Sequence, residues 1–407
     1  MMKRVATLLA AATLLLLAAT PGRYHKLVRE PSCLEPFVAD NSTFAFDLHR
    51  RLVQPGGNLI CSPYSLTAAL ALAQSGARGS TEQQIASTLH LAAQSELRNA
   101  LSALRTSLAE AGQQKHVELA TANGLWAQHN YGFSSNFLQR ARAAFAAEVQ
   151  LVDFESRSPA LRGQINSWVS GQTRGKMAEA LPPGMPSTDT RLVFVNTLYF
   201  KGQWSSRFSR SHTRKQSFQV SPGQSVTVPM MRQSQVALYA ESDAAQMVEL
   251  PYVGLHLSMV VLLPRLPDGL PALEQQLSWN QITNWTAAAG VRTVDLELPR
   301  FKLSSRLPLI QPLRALGLTD PFDWAKADFT GMSTNRPLYI NFLQQCAIVE
   351  VNEEGTVAAA ATSGGLACSS QPRPATFHAD HPFLFLIRDN HTGAILFLGR
   401  VTNPAQS

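Results

Sequence analysis

The sequence has little cysteine, little charge for its length and no catalytic signature. Four cysteines in 407 residues are too few for a disulfide scaffold. The chain lacks a Gly-X-Ser-X-Gly elbow, a His-Glu-X-X-His helix, a phosphate-binding glycine loop and a Cys-X-X-Cys pair, the motifs of common hydrolases, zinc proteases, nucleotide enzymes and redox proteins. We therefore predict that the protein is not an enzyme and uses no metal or cofactor.

Linkers and repeats are also missing, so we predict one large domain. Hydrophobic residues make up 45% of the chain and charged residues 15%, as in folded globular proteins. The net charge of +7 permits weak binding to polyanions, although the basic residues cluster poorly and a solvated surface is the preferred interpretation. We expect a monomer with no nucleic-acid partner.

The first 22 residues have the layout of a secretory signal peptide. A basic start through Arg4 is followed by an apolar run from Val5 to Ala19 and by the breaking residues Pro21 and Gly22, as in such peptides. A membrane anchor is the alternative, but the run is shorter than the roughly 20 residues of a bilayer span. We predict a secreted, extracellular protein whose mature domain covers residues 23–407.

Three Asn-X-Ser/Thr triplets fit export to a glycosylating compartment. They are candidates for glycosylation at Asn41, Asn284 and Asn390. Two of the four cysteines, Cys61 and Cys346, lie in apolar surroundings typical of core residues. Cys33 and Cys368 lie outside such surroundings, and no disulfide is predicted for them.

The most informative local absence lies between Thr356 and Ser370, where the chain has no charge and no proline. Nearly every side chain there is small, so the segment is suited to enter a sheet between two strands. Proline would remove a ladder hydrogen bond, and a buried charge would be costly. On one strand face it presents Thr356, Ala358, Ala360 and Thr362. An alanine-rich helix or a flexible loop is the alternative.

Sheet-forming sequences flank this segment. Upstream, residues 338–342 and 347–351 are apolar and rich in β-branched side chains, which predicts strands. Downstream, two hydrophobic runs at residues 381–387 and 394–401 surround the turn sequence of residues 389–393, which predicts a β-hairpin. The segment from Thr356 to Ser370 therefore lies between two sheet-forming parts of the sequence.

Seven short motifs occur in order along the chain. They are residues 58–65, 194–204, 228–231, 249–252, 298–301, 349–356 and 380–385. Together they closely resemble the serpins, the serine-protease-inhibitor family, from about Phe37 to Pro404. The resemblance implies a single-domain α+β fold with large mixed β-sheets, about eight or nine helices around them, and an exposed reactive-centre loop at about residues 353–376.

The resemblance further implies a suicide-substrate inhibitor of a serine protease, whose cleaved loop enters the main sheet while an acyl bond still holds the protease. The hinge of the loop matches Glu353, Glu354, Gly355, Thr356, Val357, Ala358, Ala359, Ala360, Ala361 and Thr362. The scissile bond falls between Ser369 and Ser370, and a small residue there favours an elastase-like or other small-pocket target. Counting back from residues 381–383 shifts the bond toward Gln371.

The family pattern also marks a region where the sheet opens. Its matching positions are Ser62, Ser65, Asn196, Trp204, Arg300 and Gln345. The first three belong to a buried polar cluster, in which Gln345 replaces the usual histidine and removes its pH sensitivity. Arg300 matches the ion-pair partner of Glu353.

A non-inhibitory serpin, acting as a carrier or folding helper, is the alternative function. Such a protein shares the fold and loses insertion, typically through bulky or charged hinge residues. Residues 355–362 contain none, so inhibition is the preferred prediction.

Overall fold

The computed structural model describes residues 34–91, 94–333, 337–355 and 373–406. The helices of these residues are α1 (Glu35–Leu52), α2 (Pro63–Gly76), α3 (Gly79–Thr88), α4 (Gln94–Gly112), α5 (Ser135–Phe145), α6 (Phe154–Gln172), α7 (Leu270–Gln276), α8 (Trp279–Ala288) and α9 (Ile310–Arg314). The strands are β1 (Leu59–Cys61), β2 (Val117–Gln128), β3 (Ala147–Val152), β4 (Leu192–Gly202), β5 (Arg214–Ser221), β6 (Gln224–Glu241), β7 (Ala245–Pro251), β8 (Leu257–Pro264), β9 (Gly290–Pro299), β10 (Phe301–Pro308), β11 (Phe342–Val351), β12 (Ala375–His378), β13 (Phe383–Asp389) and β14 (Ile395–Val401). The α+β class and the expected number of helices are confirmed.

The strands form two mixed sheets. The five-stranded sheet, here called the main sheet, has the order β10-β11-β4-β2-β3. The nine-stranded sheet has the order β1-β14-β13-β8-β7-β6-β9-β12, with β5 paired to β6. Antiparallel pairs dominate, but β4 with β11, β2 with β3 and β9 with β12 are parallel.

Helix α2 lies between the two sheets and fixes the core. Its sequence is apolar on nearly all sides, which is typical of a fully buried helix, and it packs against β14 and β4. Ser62 caps its first turn, since the hydroxyl oxygen accepts a hydrogen bond from Ser65 N (3.2 Å), and Pro63 occupies the first helical position, where no N–H is needed.

The other face of the main sheet is covered by α6. Phe154, Ile165 and Val169 of this helix pack on Val193 and Ile348 of the sheet. Alternate residues of β4 such as Phe194 point instead into the larger core. The main sheet is therefore buried on both faces, and any strand added to it must be apolar or small on both.

One predicted strand is wrong. Residues 337–341 are irregular, and β11 begins only at Phe342. Leu338 and Ile340 are buried, and Ile340 N donates to the carbonyl oxygen of Pro321 (2.8 Å) rather than to a neighbouring strand. Burial in a loop explains the apolar run there. The predicted hairpin is confirmed as β13 and β14.

Two of the three glycosylation candidates are unsuitable in the folded protein. The amide nitrogen that would carry a glycan donates to Thr67 Oγ1 (2.6 Å) in Asn41, and to Ser258 Oγ (2.8 Å) in Asn390. Both asparagines are buried, because the triplet pattern carries no information about packing. Asn284 lies exposed on α8 and stays a candidate.

Cys61 and Cys346 are free and buried, as expected. Burial raises the pKa of the Cys61 thiol to about 12 and that of Cys346 to about 11, so neither forms a reactive thiolate at neutral pH. In the described parts of the chain, no helix is both long and apolar enough for a bilayer crossing. The predicted signal peptide, Cys33 and Cys368 lie outside the described residues.

Candidate functional site

The two central strands of the main sheet, β4 and β11, run parallel and pair directly. Their register extends from Val193 opposite Phe342 to Phe200 opposite Val349, and we call this pair the seam. Each seam strand has an antiparallel neighbour on its outer side, β2 for β4 and β10 for β11. A strand running opposite to both would replace one parallel ladder by two antiparallel ones, which are slightly more stable per residue.

The end of β11 leads the chain back toward the seam. After Val351 a tight turn forms, in which Gly355 N donates to the carbonyl oxygen of Asn352 (3.1 Å). A chain that reverses here runs antiparallel to β11 and hence also to β4. The predicted hinge residues after Gly355, from Thr356 to Thr362, and both residues of the predicted scissile bond, Ser369 and Ser370, lie outside the described residues.

Backbone hydrogen bonds hold the start of the hinge. Trp204 N donates to the carbonyl oxygen of Glu354 (3.1 Å), and Phe208 N donates to that of Glu353 (3.0 Å). The indole Nε1 of Trp204 donates to the carbonyl oxygen of Asn352 (2.9 Å). The segment after β4 therefore fixes the position from which the loop departs.

Trp204 itself is fixed by aromatic packing. Its ring is 2% exposed and stacks on Tyr252, with 4.6 Å between ring centroids and 12° between planes. Tyr252 in turn meets Phe200 of β4 edge-on at 4.8 Å. Such pairs add to the hydrophobic contribution of the buried rings. Trp204, which the family pattern places in the region where the sheet opens, is therefore firmly held next to the end of β4.

Glu353 is a buried carboxylate at the hinge, with 3% of its side chain exposed. Arg300 donates to its Oε1 through Nε (2.8 Å) and through Nη2, and Thr213 Oγ1 donates to the same oxygen. Burial opposes ionisation, but the hydrogen bonds from Arg300 and Thr213 outweigh it and lower the pKa of Glu353 below 4.5. The carboxylate is thus charged and anchored at neutral pH.

Acid should release this anchor. Because the folded pKa of Glu353 lies below its ordinary value of 4.5, the pair stabilises the protein above that pH, and the contribution is lost as the pH falls through the lowered pKa. We expect Glu353→Gln to lower the thermal midpoint clearly at pH 7, and to lower it less and less as the pH falls below 4.5.

The matched control for this prediction is Glu350→Gln. Glu350 is 40% exposed, and its ion pair with Lys176 is long, at 3.9 Å. Exposed pairs of this kind contribute little, so Glu350→Gln should change the thermal midpoint only slightly at every pH. Thermal unfolding of the three proteins from acid to neutral pH checks the prediction. A Glu353→Gln effect that stays constant over this range contradicts it.

A polar cluster lies beneath the middle of the seam. Asn196 of β4 and Gln345 of β11 are opposite each other in the register, and Gln345 Nε2 donates to Asn196 Oδ1 (2.9 Å). Asn196 Nδ2 donates to Ser65 Oγ (2.5 Å), and Gln345 Oε1 accepts from Ser62 N (2.7 Å). All four residues are at most 1% exposed, so the cluster ties both seam strands to helix α2.

Two members of these networks were missed from the sequence. Asn123 of β2 accepts from Asn196 Nδ2 (2.8 Å), and Thr213 contacts Glu353. Both are distant in sequence from their partners. The one signal that could have identified Asn123 is that it is an asparagine within an otherwise strand-like run.

Comparison with known proteins agrees with this geometry. A family model described as Serpin (serine protease inhibitor) matches residues 39–404. The chain belongs to the serpin family. Human leukocyte elastase inhibitor is 39% identical over 382 residues, which cover 91% of this serpin and 100% of the relative. Human serpin B9 is 38% identical over 379 residues, with coverage of 91% and 100%.

Solved structures show the same fold. Human thyroxine-binding globulin, in complex with thyroxine, superposes on this serpin with a TM-score of 0.83 and 28% identity, covering 92% of the serpin and 100% of the globulin. The matching family is described as serine protease inhibitors, and the first human relative above is named an elastase inhibitor. These descriptions confirm the expectation of a protease inhibitor rather than an enzyme.

Proposed function

We propose that this serpin is a secreted suicide-substrate inhibitor of a serine protease, acting as a monomer. One observation carries the proposal: the hinge begins where β11, one strand of the parallel seam, ends, and a strand entering the seam antiparallel to both neighbours would gain two antiparallel ladders. The segment that follows it has no proline and no charge up to Ser370. Secretion rests on the signal-peptide pattern of residues 1–22.

The inhibitory step begins as an ordinary proteolysis. The protease attacks the loop, its serine forms an ester with the carbonyl carbon of the scissile residue, and the new amino terminus leaves. We place this bond between Ser369 and Ser370. The freed segment from Gly355 to Ser369 then enters the seam. Fifteen residues at about 3.3 Å each span roughly 50 Å, so the esterified protease is carried to the opposite end of the sheet and distorted before water can hydrolyse the ester.

Opening the seam breaks specific contacts. The hydrogen bond between Gln345 and Asn196 crosses it directly. On the outer face, Asn166 of α6 accepts from Ala180 N and Leu181 N (both 2.9 Å), and Gln344 of β11 donates to the carbonyl oxygen of Ala180. The bond between Gln345 and Asn196 links the two seam strands, and the other bonds tie the segment after α6 to that helix and to β11. Insertion would replace the direct contacts across the seam by two new ladders.

An elastase-like protease is the proposed target. A serine on the amino-terminal side of the cut fits a small or shallow specificity pocket. Several of the most similar relatives are named leukocyte elastase inhibitor, which supports the same class of target.

The test is to incubate the intact protein with elastase-, chymotrypsin- and trypsin-like proteases. We expect an SDS-resistant adduct with the elastase-like enzyme, and mass spectrometry of the loop should report a cut between Ser369 and Ser370. A protease whose catalytic serine is replaced by alanine is the control, since it cannot form the ester and should give no adduct.

Cleavage without an adduct and without a rise in thermal midpoint contradicts the proposal. That result would favour the carrier or folding-helper alternative. A cut at another bond of the loop, with an adduct, would correct the scissile position and retain the mechanism.

A further inference from the structure

A cleft of about 530 Å³ lies beside the hinge. It is formed where β10, β11 and the carboxyl-terminal residues meet, and we call it the hinge cleft. Its volume lies in the range of about 300–1,000 Å³ typical of small-molecule sites. Protease inhibition as proposed above makes no use of this space.

One wall of the hinge cleft is cationic. Arg210, Arg300 and Lys302 line it. The carboxylates that pair with the two arginines are turned inward: Glu353 is 3% exposed while Arg300 is 41% exposed, and Glu354 is 13% exposed while Arg210 is 72% exposed. The positive ends of both pairs are therefore the parts that solvent can reach.

Two cationic groups retain free donors. Arg300 uses Nε and Nη2 for Glu353, and its Nη1 donates to no described residue. Lys302, half-buried, has no ion pair or side-chain hydrogen bond with a described residue, although the cleft also contains Glu350, whose carboxylate lies 3.9 Å from Lys176. An ammonium and a guanidinium with free N–H groups form strong, charge-assisted hydrogen bonds to an acid.

The remaining lining is Asn352 and five apolar residues, Pro229, Phe301, Val351, Pro404 and Ala405. Of the apolar residues, Pro229 and Ala405 are exposed, whereas Phe301, Val351 and Pro404 are buried. A fully hydrated inorganic ion gains nothing from such a wall, whereas the hydrocarbon part of an organic acid does. We propose that the hinge cleft binds a small organic anion, with its acid group between Arg300 and Lys302 and its apolar body against the exposed Pro229 and Ala405.

The experiment is a fluorescence titration of the intact protein with anilinonaphthalene sulfonate, an apolar aromatic anion. We expect saturable binding of roughly 10–100 µM. Lys302→Gln should weaken it about tenfold and Lys302→Arg should restore it, because the charge-assisted contact returns. Lys215→Gln is the matched control, since Lys215 is an exposed cation of β5 outside the cleft, and it should leave the affinity unchanged.

Two further ligands sharpen the test. Phenylnaphthylamine has a similar apolar body without the acid group, and a short heparin fragment has acid groups without the apolar body. Both should bind at least about tenfold more weakly than the sulfonate at the hinge cleft. Equal binding of either ligand, or equal sulfonate affinity of Lys302→Gln and the unmodified protein, overturns the proposal. No protease is present, so either result leaves the inhibitor proposal untouched.

Discussion

Ala360→Glu should convert this serpin from an inhibitor into a substrate. By strand alternation Ala360 shares a face with Thr356, Ala358 and Thr362, and the seam that this segment would enter is buried on both faces. An unpaired carboxylate at such a position costs several kcal/mol, while each 1.4 kcal/mol changes an equilibrium about tenfold. We therefore expect the adduct with the target protease to fall at least about tenfold while cleavage of the loop continues.

The measurement compares adduct and cleaved product on a denaturing gel, together with the thermal midpoint after cleavage. Ala360→Ser is the matched control, because it adds one small hydroxyl and no charge, and it should retain most of the adduct. An Ala360→Glu variant that forms the adduct as fully as the unmodified protein would show that this face does not enter the core.

Gly355→Ala should destabilise the intact protein more than Gly56→Ala, a replacement at a glycine with a similar backbone conformation. Gly355 has φ +74°, a left-handed conformation that costs about 1–2 kcal/mol for other residues. An added Cβ would also lie 2.6 Å from Gln203 Cα, and closer still to Trp204 N and Gly202 O. These are backbone atoms that cannot rotate away, so we expect a total loss of about 3 kcal/mol or more.

Gly56→Ala separates the two causes. Gly56 has a similar φ of +66°, but nothing lies within 4 Å of an added Cβ, so it should show the conformational cost alone, about 1 kcal/mol. Thermal or denaturant unfolding of both variants measures the difference. If the two variants lose the same stability, the close approach of Gly355 to the segment after β4 has no energetic effect.

Patterns within a few neighbouring residues predicted some of the strands from the sequence alone. The β13–β14 hairpin and the second half of β11 follow from turn and apolar signals that a few neighbouring residues carry. The polar cluster of Asn196 and Gln345 became recognisable only through the family resemblance, since nothing in either segment indicates the other.

Long-range register explains what was missed. Asn123 reaches Asn196 because β2 and β4 align these residues, and no sequence spacing expresses that alignment. The wrong strand at residues 338–342 has a related cause, since burial in an irregular segment produces the same apolar run as burial in a sheet. The triplet pattern likewise does not report that the side chains of Asn41 and Asn390 are buried.

The amides beneath the seam have a consequence for where such an inhibitor can operate. Neither Asn196 nor Gln345 takes up a proton, and Glu353 stays ionised until well into the acid range. Within these groups nothing changes charge between the slightly acid fluid of inflamed tissue and the pH of plasma. The charges of the polar cluster and of the hinge anchor are therefore the same in both fluids.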